Sequence, residues 1–240
     1  MSDYAIVGHD GRRARAFLLR EDRVFDRAEG ADREAALAAL SARPDRVFHI
    51  GEGAPDSLPA AVLPGNPARG LPGLTQESPA DVLDGWVRLL ILGFTEAQPD
   101  WDGVVLVLTD QISHWVHLSA REAVSCQSFL TPRLVAALGG TLPADMGALG
   151  DSLSRPERLA AHLRRAEVTG KTGAISGYLI GAELAAARPY WLGQSVALID
   201  CGGSGAGHAQ ALEAQGVPVS RHDPETTLSE ALTALGERIG

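Results

Sequence analysis

The first residues that could do chemistry lie near the start of the chain, in the segment YAIVGHDGRRARAFLL. Two apolar runs, each typical of a short strand, flank the turn GHDGRR at residues 8–13. Backbone N–H groups at a glycine turn bind anions, and arginine pairs directly with phosphate. The turn therefore has three open interpretations: a working phosphate loop, an altered phosphate loop, or a plain hairpin.

A second glycine turn, CGGSGAGH at 201–208, joins a predicted strand to a predicted helix. This is a favourable place for a phosphate, since the N–H groups at a helix N-terminus point towards an anion. The segment is not a dinucleotide fingerprint, because His208 stands where G-x-G-x-x-G needs its last glycine. Ala206 likewise breaks the nucleophile pattern G-x-S-x-G. A tight turn without a ligand is an equally good interpretation.

Two further patterns are incomplete. The segment TGKTG at 169–173 contains the Gly-Lys-Thr of a P-loop, but Arg165 stands where the motif needs its first glycine. We interpret this segment as the end of a helix with glycine caps. His114 and His117 lie three apart in a predicted strand and point to opposite faces, so they show no metal-binding pattern.

The elements that must position these turns are strands and helices, which alternate in the second half of the chain. The predicted strands are 4–7, 14–19, 23–25, 45–51, 102–110, a hairpin over 114–130, 195–203 and 217–223. The predicted helices are 31–42, 79–93, 131–140, 155–169, 174–188, 204–216 and 225–239. The helix at 79–93 is expected to begin at Pro79 with Ser78 as its cap. Residues 52–79, rich in Pro and Gly, are predicted to form a surface excursion.

The helix ISGYLIGAEL at 175–184 carries two informative features. Gly177 and Gly181 are four residues apart on one face, which indicates close packing against a neighbouring helix. Glu183 is unusual on so apolar a helix. It is either an exposed position or the anchor of a polar network in a cleft.

Composition limits the function classes. The 240 residues carry a net charge of −9 and a pI of about 5.2, without the basic footprint of a nucleic-acid-binding protein. The two cysteines, Cys126 and Cys201, fit a reducing compartment rather than a disulfide framework. The start of the chain lacks a signal pattern, and no apolar run approaches a membrane span. We therefore predict a cytoplasmic protein that contacts neither nucleic acid nor membrane.

Five segments in the right order resemble one family, and one of them, SVALIDCGGSGAGHAQALEAQG, sits where that family has a strand, a glycine turn and a helix that contact nucleotide. ISGYLIGAEL is similar to the L-S-G-L-L-I-G-x-E-L helix of the 2-dehydro-3-deoxygalactonokinase family, bacterial sugar-acid kinases. SFLTPRL at 128–134 resembles its F-M-T-G-E-L segment, and SHWV at 113–116 resembles the end of G-T-H-S-K-W-V. PGLTQESPADVLDG resembles its P-G-L…P-D-V-M-R-G run. The resemblance spans roughly 70–235 and identifies the chain as a divergent, shortened relative.

The resemblance implies a two-lobed actin-like ATPase fold (ribonuclease H-like), an α/β architecture with mixed sheets. The lobes are expected at 1–93 and 94–240. It also implies ATP and Mg²⁺ as cofactors and a 2-keto-3-deoxy sugar acid as the substrate. A homo-oligomer, or pairing with an active kinase, is a further expectation.

The resemblance also implies roles for individual residues. Asp110 and Asp10 are the expected catalytic residues, and Asp10 is also the expected metal ligand. The cofactor-binding residues are expected to be Gly8, Gly11, Arg12, Gly202, Gly203 and Gly205. The substrate-binding residues are expected to be Ser113, Trp115, Thr131 and Arg165, with Arg121 and Arg133 as unranked alternatives for the substrate carboxylate.

Departures from the family pattern keep a second reading open. The family opens with D-W-G-T-T-N-x-R, but this chain has Gly8 at the Asp position and Gly11 and Arg12 at the Thr positions. R-G-E-E becomes DGWV at 84–87. The alternative is therefore an inactive relative that binds a sugar acid or regulates a partner. An unrelated α/β hydrolase or nucleotide-binding module is a third hypothesis, from a different class.

Overall fold

The computed structural model describes residues 3–21, 23–65 and 70–239, and it contains two compact units. Unit 1 comprises Met1–Trp101, Leu118–Ser125 and Asp223–Gly240, and unit 2 comprises Asp102–His117 and Cys126–His222. The expected boundary between residues 93 and 94 falls inside a helix. The C-terminal helix belongs to unit 1, whereas the sequence-based division places it in the second lobe.

The described residues form strands and helices in a mixed order. The strands are β1 (Tyr4–His9), β2 (Ala14–Arg20), β3 (Arg23–Gly30), β4 (Arg46–His49), β5 (Asp56–Ser57), β6 (Ala60–Ala61), β7 (Leu74–Glu77), β8 (Ala80–Leu83), β9 (Gly103–Leu108), β10 (Ser113–Ser119), β11 (Glu122–Phe129), β12 (Val196–Asp200) and β13 (Val219–His222). The helices are α1 (Arg33–Ala38), α2 (Gly85–Ala97), α3 (Thr131–Ala137), α4 (Met146–Ser154), α5 (Leu159–Val168), α6 (Thr172–Ala186), α7 (Arg188–Trp191), α8 (Gly205–Ala214) and α9 (Pro224–Ile239). Within the described ranges, no helix has the length and hydropathy of a membrane span.

Unit 1 is built on a sheet with the order β3-β2-β1-β4. β1 pairs antiparallel with β2 and parallel with β4, so the turn at 8–13 is a true hairpin connection. Arg15 on β2 donates to both carboxylate oxygens of Glu225, at 2.7 and 2.9 Å, and this ion pair fastens the first turn of α9 to the sheet. The hairpin is therefore anchored on a rigid, buried strand pair.

Helix α2 begins later than the sequence predicts. Residues Ala80–Leu83, expected to be helical, form β8 and pair antiparallel with β7. Asp84 then caps the helix, since its Oδ1 accepts a hydrogen bond from the N–H of Val87 at 2.8 Å. The continuous apolar run begins only after this cap, which is why the helix begins at Gly85 and not at Pro79.

Arg88 organises the Pro- and Gly-rich segment of unit 1. Its guanidinium is fully buried and donates to the carbonyls of Val62 (2.9 Å), Ala61 (2.8 Å) and Pro72 (3.1 Å), and to Asp56 Oδ2 (2.7 Å). One side chain therefore satisfies backbone acceptors from separate parts of the segment. The excursion predicted at 52–79 is present, but it contains short strands and is packed around this cation.

Unit 2 is built on parallel strands. β12 pairs in parallel with β9 on one side and with β13 on the other, and β10 and β11 follow β9 in the sheet. All six residues of β9 are buried, as expected for a strand covered on both faces. The tip of the β10–β11 hairpin belongs to unit 1, where β11 pairs antiparallel with β6.

Helix α6 packs closely on α4, a helix that the sequence analysis missed. A Cβ atom added to Gly177 would lie 2.3 Å from the carbonyl oxygen of Asp145, and one added to Gly181 would lie 2.2 Å from that of Leu149. Both distances are far inside contact, so only glycine permits this approach. The close packing predicted from the spacing of the two glycines is present.

We expect the substitution Arg88→Met to destabilise unit 1 by about 3 kcal/mol or more, because it leaves several buried carbonyls without a donor. The free energy of unfolding in urea measures the effect. Arg20→Met is the matched control, since the Arg20–Asp3 ion pair is about half exposed on the arginine side. It should cost far less than Arg88→Met, because exposed ion pairs contribute little to stability. Equal losses for the two variants would contradict the organising role of Arg88.

Candidate functional site

A cavity of about 420 Å³ in unit 2 brings together several of the predicted site residues. We call it the unit 2 cavity. It is lined by Thr109, Asp110, Gln111, Thr131, Pro132, Val135, Ala136, Gly140, Leu142, Ile180, Gly202, Ser204 and His208. It lies where β9 and β12 end, and in open α/β sheets ligands bind beyond the carboxyl ends of parallel strands.

The turns that follow β9 and β12 approach each other closely. The N–H of Cys201 donates to the carbonyl of Leu108 at 2.8 Å, which continues the strand pairing by one bond. A Cβ atom on Gly202 would lie 2.7 Å from the carbonyl oxygen of Thr109. Glycine at position 202 is therefore required by packing.

The glycine turn after β12 is closed by a carboxylate of the chain itself. Asp200 Oδ1 accepts from the N–H of Gly203 at 2.7 Å, and Oδ2 accepts from the N–H of Gly205 at 2.8 Å. These are the amides that sequence reasoning offered to a phosphate. The hydroxyl oxygen of Ser204 is buried and has no hydrogen-bond partner in the structure, and Ser204 lines the cavity.

The turn after β9 is held by Thr109, which the sequence analysis did not single out. Its hydroxyl bonds to the carbonyl of Ile112 at 2.9 Å and accepts from the N–H of Ile112 at 2.9 Å. This turn presents Asp110, half-buried, to the cavity. Arg133 on α3 is tied to the same turn, since its N–H and its Nε donate to Gln111 at 3.3 and 3.1 Å.

Glu183 lies behind the cavity at the centre of a buried polar network. Oε1 accepts from Trp115 Nε1 at 2.9 Å and from His208 Nε2 at 3.2 Å, while Oε2 accepts from the hydroxyl of Ser113 at 2.8 Å. The hydroxyl of Thr131 also bonds to this carboxylate. The network anticipated from the position of Glu183 is present, but its partners could not be read from the sequence.

Glu183 and His208 shift each other's pKa towards the charged forms. Burial acts most strongly on both groups and by itself would raise the pKa of Glu183 and lower the pKa of His208. Their mutual attraction and hydrogen bonds outweigh burial, so the pKa of Glu183 lies below its usual value and the pKa of His208 lies above 6.5. The two buried groups therefore stabilise each other's charged form behind the cavity.

The hairpin turn in unit 1 is also closed by its own side chains. Asp10 Oδ1 accepts from the N–H groups of Arg12 and Arg13, at 2.8 and 2.9 Å, and His9 Nδ1 accepts from the N–H of Gly11 at 3.0 Å. Arg13 forms an ion pair with Glu29. Beside the turn, His9, Gly11, Arg33, Asp84 and Trp86 help to line a cavity of about 380 Å³, the unit 1 cavity.

Gly8 is packed, not open. A Cβ atom at this position would lie 2.8 Å from Ile50 Cβ and 3.1 Å from Trp86 Cε3. The place where the family pattern has its aspartate is therefore filled by these two apolar side chains.

Comparisons with known proteins agree with this architecture. A model of the 2-keto-3-deoxy-galactonokinase family matches residues 154–235. A solved Sinorhizobium meliloti protein, named as a candidate 2-dehydro-3-deoxygalactonokinase, has a TM-score of 0.78 at 22% identity over 98% of this chain and 99% of that chain. The resemblance to the 2-dehydro-3-deoxygalactonokinase family is confirmed. The predicted actin-like ATPase fold is confirmed as well.

Two more distant structures share the fold. Component A of the (R)-2-hydroxyglutaryl-CoA dehydratase of Acidaminococcus fermentans has a TM-score of 0.55 at 10% identity, over 99% of this chain and 97% of that chain. An activator of the 2-hydroxyisocaproyl-CoA dehydratase from Clostridium difficile, solved with bound ADPNP, has a TM-score of 0.52 at 10% identity, over 99% and 95%. No curated protein shows a significant match to the sequence.

The residues expected from the family resemblance fall into three groups. Asp110, Thr131 and Gly202 line the unit 2 cavity, together with Ser204 and His208, which sequence reasoning had not assigned a role there. The amides of the other two glycines of this turn bind Asp200, as described above. The remaining residues lie in the hairpin of unit 1, on β10 or near the end of α5.

Ser113 and Trp115 are fully buried on β10 and bond to Glu183. This position makes them supports for the network, and their predicted contact with a substrate stays a prediction. Arg165 is exposed near the end of α5, and Arg121 is paired with Glu96 in unit 1. Of the three arginines left unranked, only Arg133 is bonded in the described structure to a residue that lines the unit 2 cavity.

The structure has room for the nucleoside of ATP but offers fewer groups to its phosphates and to Mg²⁺. The size and mainly apolar walls of the unit 2 cavity suit the nucleoside part of ATP. Gly203 and Gly205 do not offer their amides to phosphates while Asp200 occupies them. Among the residues that the structure describes, no group of three or more His, Cys, Asp or Glu is arranged for a metal. Mg²⁺ at a nucleotide needs only one or two carboxylates, and Asp10 Oδ1 is already engaged by its own loop.

The charged pair predicts a pH dependence. Because the pKa of His208 is raised in the folded state, its contribution to stability is complete below pH 6.5 and declines as the pH rises through the folded-state pKa. The loss amounts to about 1.4 kcal/mol for each pH unit by which the folded-state pKa exceeds the unfolded-state pKa. Urea unfolding between pH 5 and 9 measures it, with His208→Gln as the control that removes the titration. An unchanged difference between the two proteins across this range would contradict the charged pair.

We expect Gly8→Asp to destabilise unit 1 by about 1–3 kcal/mol, because the new side chain meets Ile50 and Trp86. Thermal unfolding checks this. Gly150→Ala is the control: nothing lies within 4 Å of a Cβ at that position on α4, so it should be neutral or slightly stabilising. A Gly8→Asp protein as stable as the wild type would show that the site remains open to a carboxylate.

Proposed function

We propose that the chain is a carbohydrate kinase that transfers a phosphoryl group from ATP to a 2-keto-3-deoxy sugar acid. The observation that carries the proposal is the unit 2 cavity at the ends of β9 and β12, which joins residues 109–111 to the family-matched part of the chain. ATP would supply the phosphoryl group. The specific substrate follows from the family resemblance, and we propose it on that ground.

We assign separate roles in such a reaction to the residues in and beside the cavity. Phosphoryl transfer depends on positioning, on neutralising charge and on a base for the attacking hydroxyl. Asp110 is the carboxylate that lines the cavity, so we assign it the base. Arg133, tied to the neighbouring Gln111, is the arginine that we assign to an anionic group of a ligand. The apolar part of the wall, from α3 and α6, would exclude water.

The setting proposed for this activity is a cytoplasmic one. The two cysteines of the chain, both within the described residues, form no disulfide. A small sugar acid is the proposed partner. Self-association and pairing with an active kinase remain proposals, which the mass of the protein in solution would test.

A coupled assay of ADP release with 2-keto-3-deoxy sugar acids tests the kinase. Asp110→Asn should lower kcat by about 100-fold or more, because it removes the base. Asp102→Asn, exposed before β9, is the matched control and should leave kcat unchanged. Absence of turnover by correctly folded wild-type protein with every such acid would exclude the kinase.

The hairpin of unit 1 favours a second function, an inactive relative that binds a sugar acid. Gly8 is packed against apolar side chains, and Asp10 bonds to its own loop. Arg13 is paired with Glu29. These three residues of the hairpin thus have structural tasks of their own. Calorimetry separates the two functions: binding of a sugar acid without binding of Mg-ATP would favour the inactive relative.

His208 and Ser204 do not support the hydrolase alternative. A serine nucleophile needs a base within hydrogen-bonding reach of its hydroxyl. His208 Nδ1 faces the carbonyl oxygen of Ser204 at 3.4 Å, and Nε2 bonds to Glu183. The hydroxyl of Ser204 has no partner in the structure. The geometry of a nucleophile and its base is therefore not formed.

A further inference from the structure

We propose that Glu183 is the positioning residue of the unit 2 cavity, because it holds two of the cavity's walls to the sheet. Thr131 on α3 and His208 on α8 both line the cavity, and both bond to its carboxylate. The same carboxylate bonds to Ser113 and Trp115 on β10. One side chain on α6 therefore connects three other elements. The proposal rests on the proposed function only in taking this cavity as the ligand site.

The first support is the chemistry of the partners. The indole N–H of Trp115 can only donate, and the hydroxyls of Ser113 and Thr131 are placed to donate. A carboxylate surrounded by donors accepts from all of them at once. A protonated or amide side chain would bring its own hydrogen atoms against these donors.

The second support is the chemistry of His208. Its Nε2 faces a carboxylate oxygen of Glu183, and its Nδ1 faces the carbonyl oxygen of Ser204, although at 3.4 Å the second contact is long. Both partners are acceptors, so the ring is best satisfied when both nitrogens carry a hydrogen atom. The charged groups that face the ring are Glu183 from α6 and Asp200 at the end of β12, and Asp110 lines the same cavity. The ion pair therefore fixes the orientation of this wall.

The third support is burial. Glu183 is 3% exposed and does not line the cavity, whereas both of its partners on the helices do. Its effect on a ligand is therefore indirect, through the side chains that it holds. A buried ion pair adds little net stability compared with apolar residues of the same size. Removing only one partner is destabilising, because it leaves a buried charge without compensation. A single substitution therefore measures the cost of an unpaired buried charge, whereas the double substitution removes both charges and measures the effect on the ligand site alone.

Hydrogen exchange of the full chain without a ligand tests the positioning directly. Glu183→Gln should increase amide exchange about tenfold or more in residues 131–136 and 203–208 together, because a charged hydrogen bond to each wall is lost. Trp191→Phe is the control: it removes a buried bond to the carbonyl of Leu184 in the same unit, and this bond does not involve Glu183. Unchanged exchange in either segment, or an equal rise in both variants, would overturn the proposal.

Double substitution separates positioning from stability. Glu183→Gln and His208→Gln should each lower Tm, and the double variant should recover part of the loss because no buried charge remains. Binding of ADP, measured by calorimetry, should stay weaker by about tenfold in the double variant, since neutral amides do not restore the walls. Wild-type affinity in the double variant would overturn the proposal.

Different results would contradict the proposed kinase function and the proposed positioning role of Glu183. If the wild-type protein binds no ADP, the proposed kinase is contradicted, while the exchange experiment still decides the role of Glu183. If ADP binds equally well to all variants, the kinase stands and the positioning role is overturned.

Discussion

A buried carboxylate sets the arrangement of unit 2. Glu183 cannot be solvated at its position, so its lone pairs must be satisfied by protein donors, and a buried charge without partners would cost several kcal/mol. The donors come from β10, α3 and α8, which are far apart in the chain. This one requirement therefore ties β10 to α3 and α8, two of the helices that line the cavity. The close approach of α6 and α4 through Gly177 and Gly181 places the carboxylate where these donors meet.

Two other carboxylates close the glycine turns by accepting hydrogen bonds from the amides of those turns. Asp10 and Asp200 each bind two backbone amides of the turn that follows them, at 2.7–2.9 Å. Both turns are therefore complete hydrogen-bonded structures without a ligand. A phosphate that uses the amides of Gly203 and Gly205 must displace a tethered carboxylate, which is present at high effective concentration. The cavity beside these amides is consequently better prepared for the nucleoside than for the phosphates.

Sequence reasoning succeeded where a local pattern had one structural solution. The spacing of Gly177 and Gly181 permits close packing on only one helix face, and the apolar run of β9 is a buried strand on any reading. It failed where two local signals competed. Ser78 and Pro79 look like a helix start, but pairing of residues 80–83 with β7 takes precedence, and Asp84 supplies the cap. The partners of Glu183 were inaccessible, because the donors lie 25 to 70 residues away and nothing local marks them.

Two positions of unit 1 that differ from the family pattern lie close together. The position that holds aspartate in the family pattern is glycine here, and the position that the resemblance aligns with the first glutamate of R-G-E-E is Trp86. These two positions are in contact: the Trp86 ring fills the space in front of Gly8, with Ile50 on its other side. The guanidinium of Arg15 lies over the Trp86 ring, 5.6 Å from its centroid, and also bonds to Glu225 of α9. Apolar side chains therefore fill the space beside Gly8, and the Trp86 ring among them also packs on the arginine that anchors α9, so the single substitution Gly8→Asp cannot recreate the family arrangement.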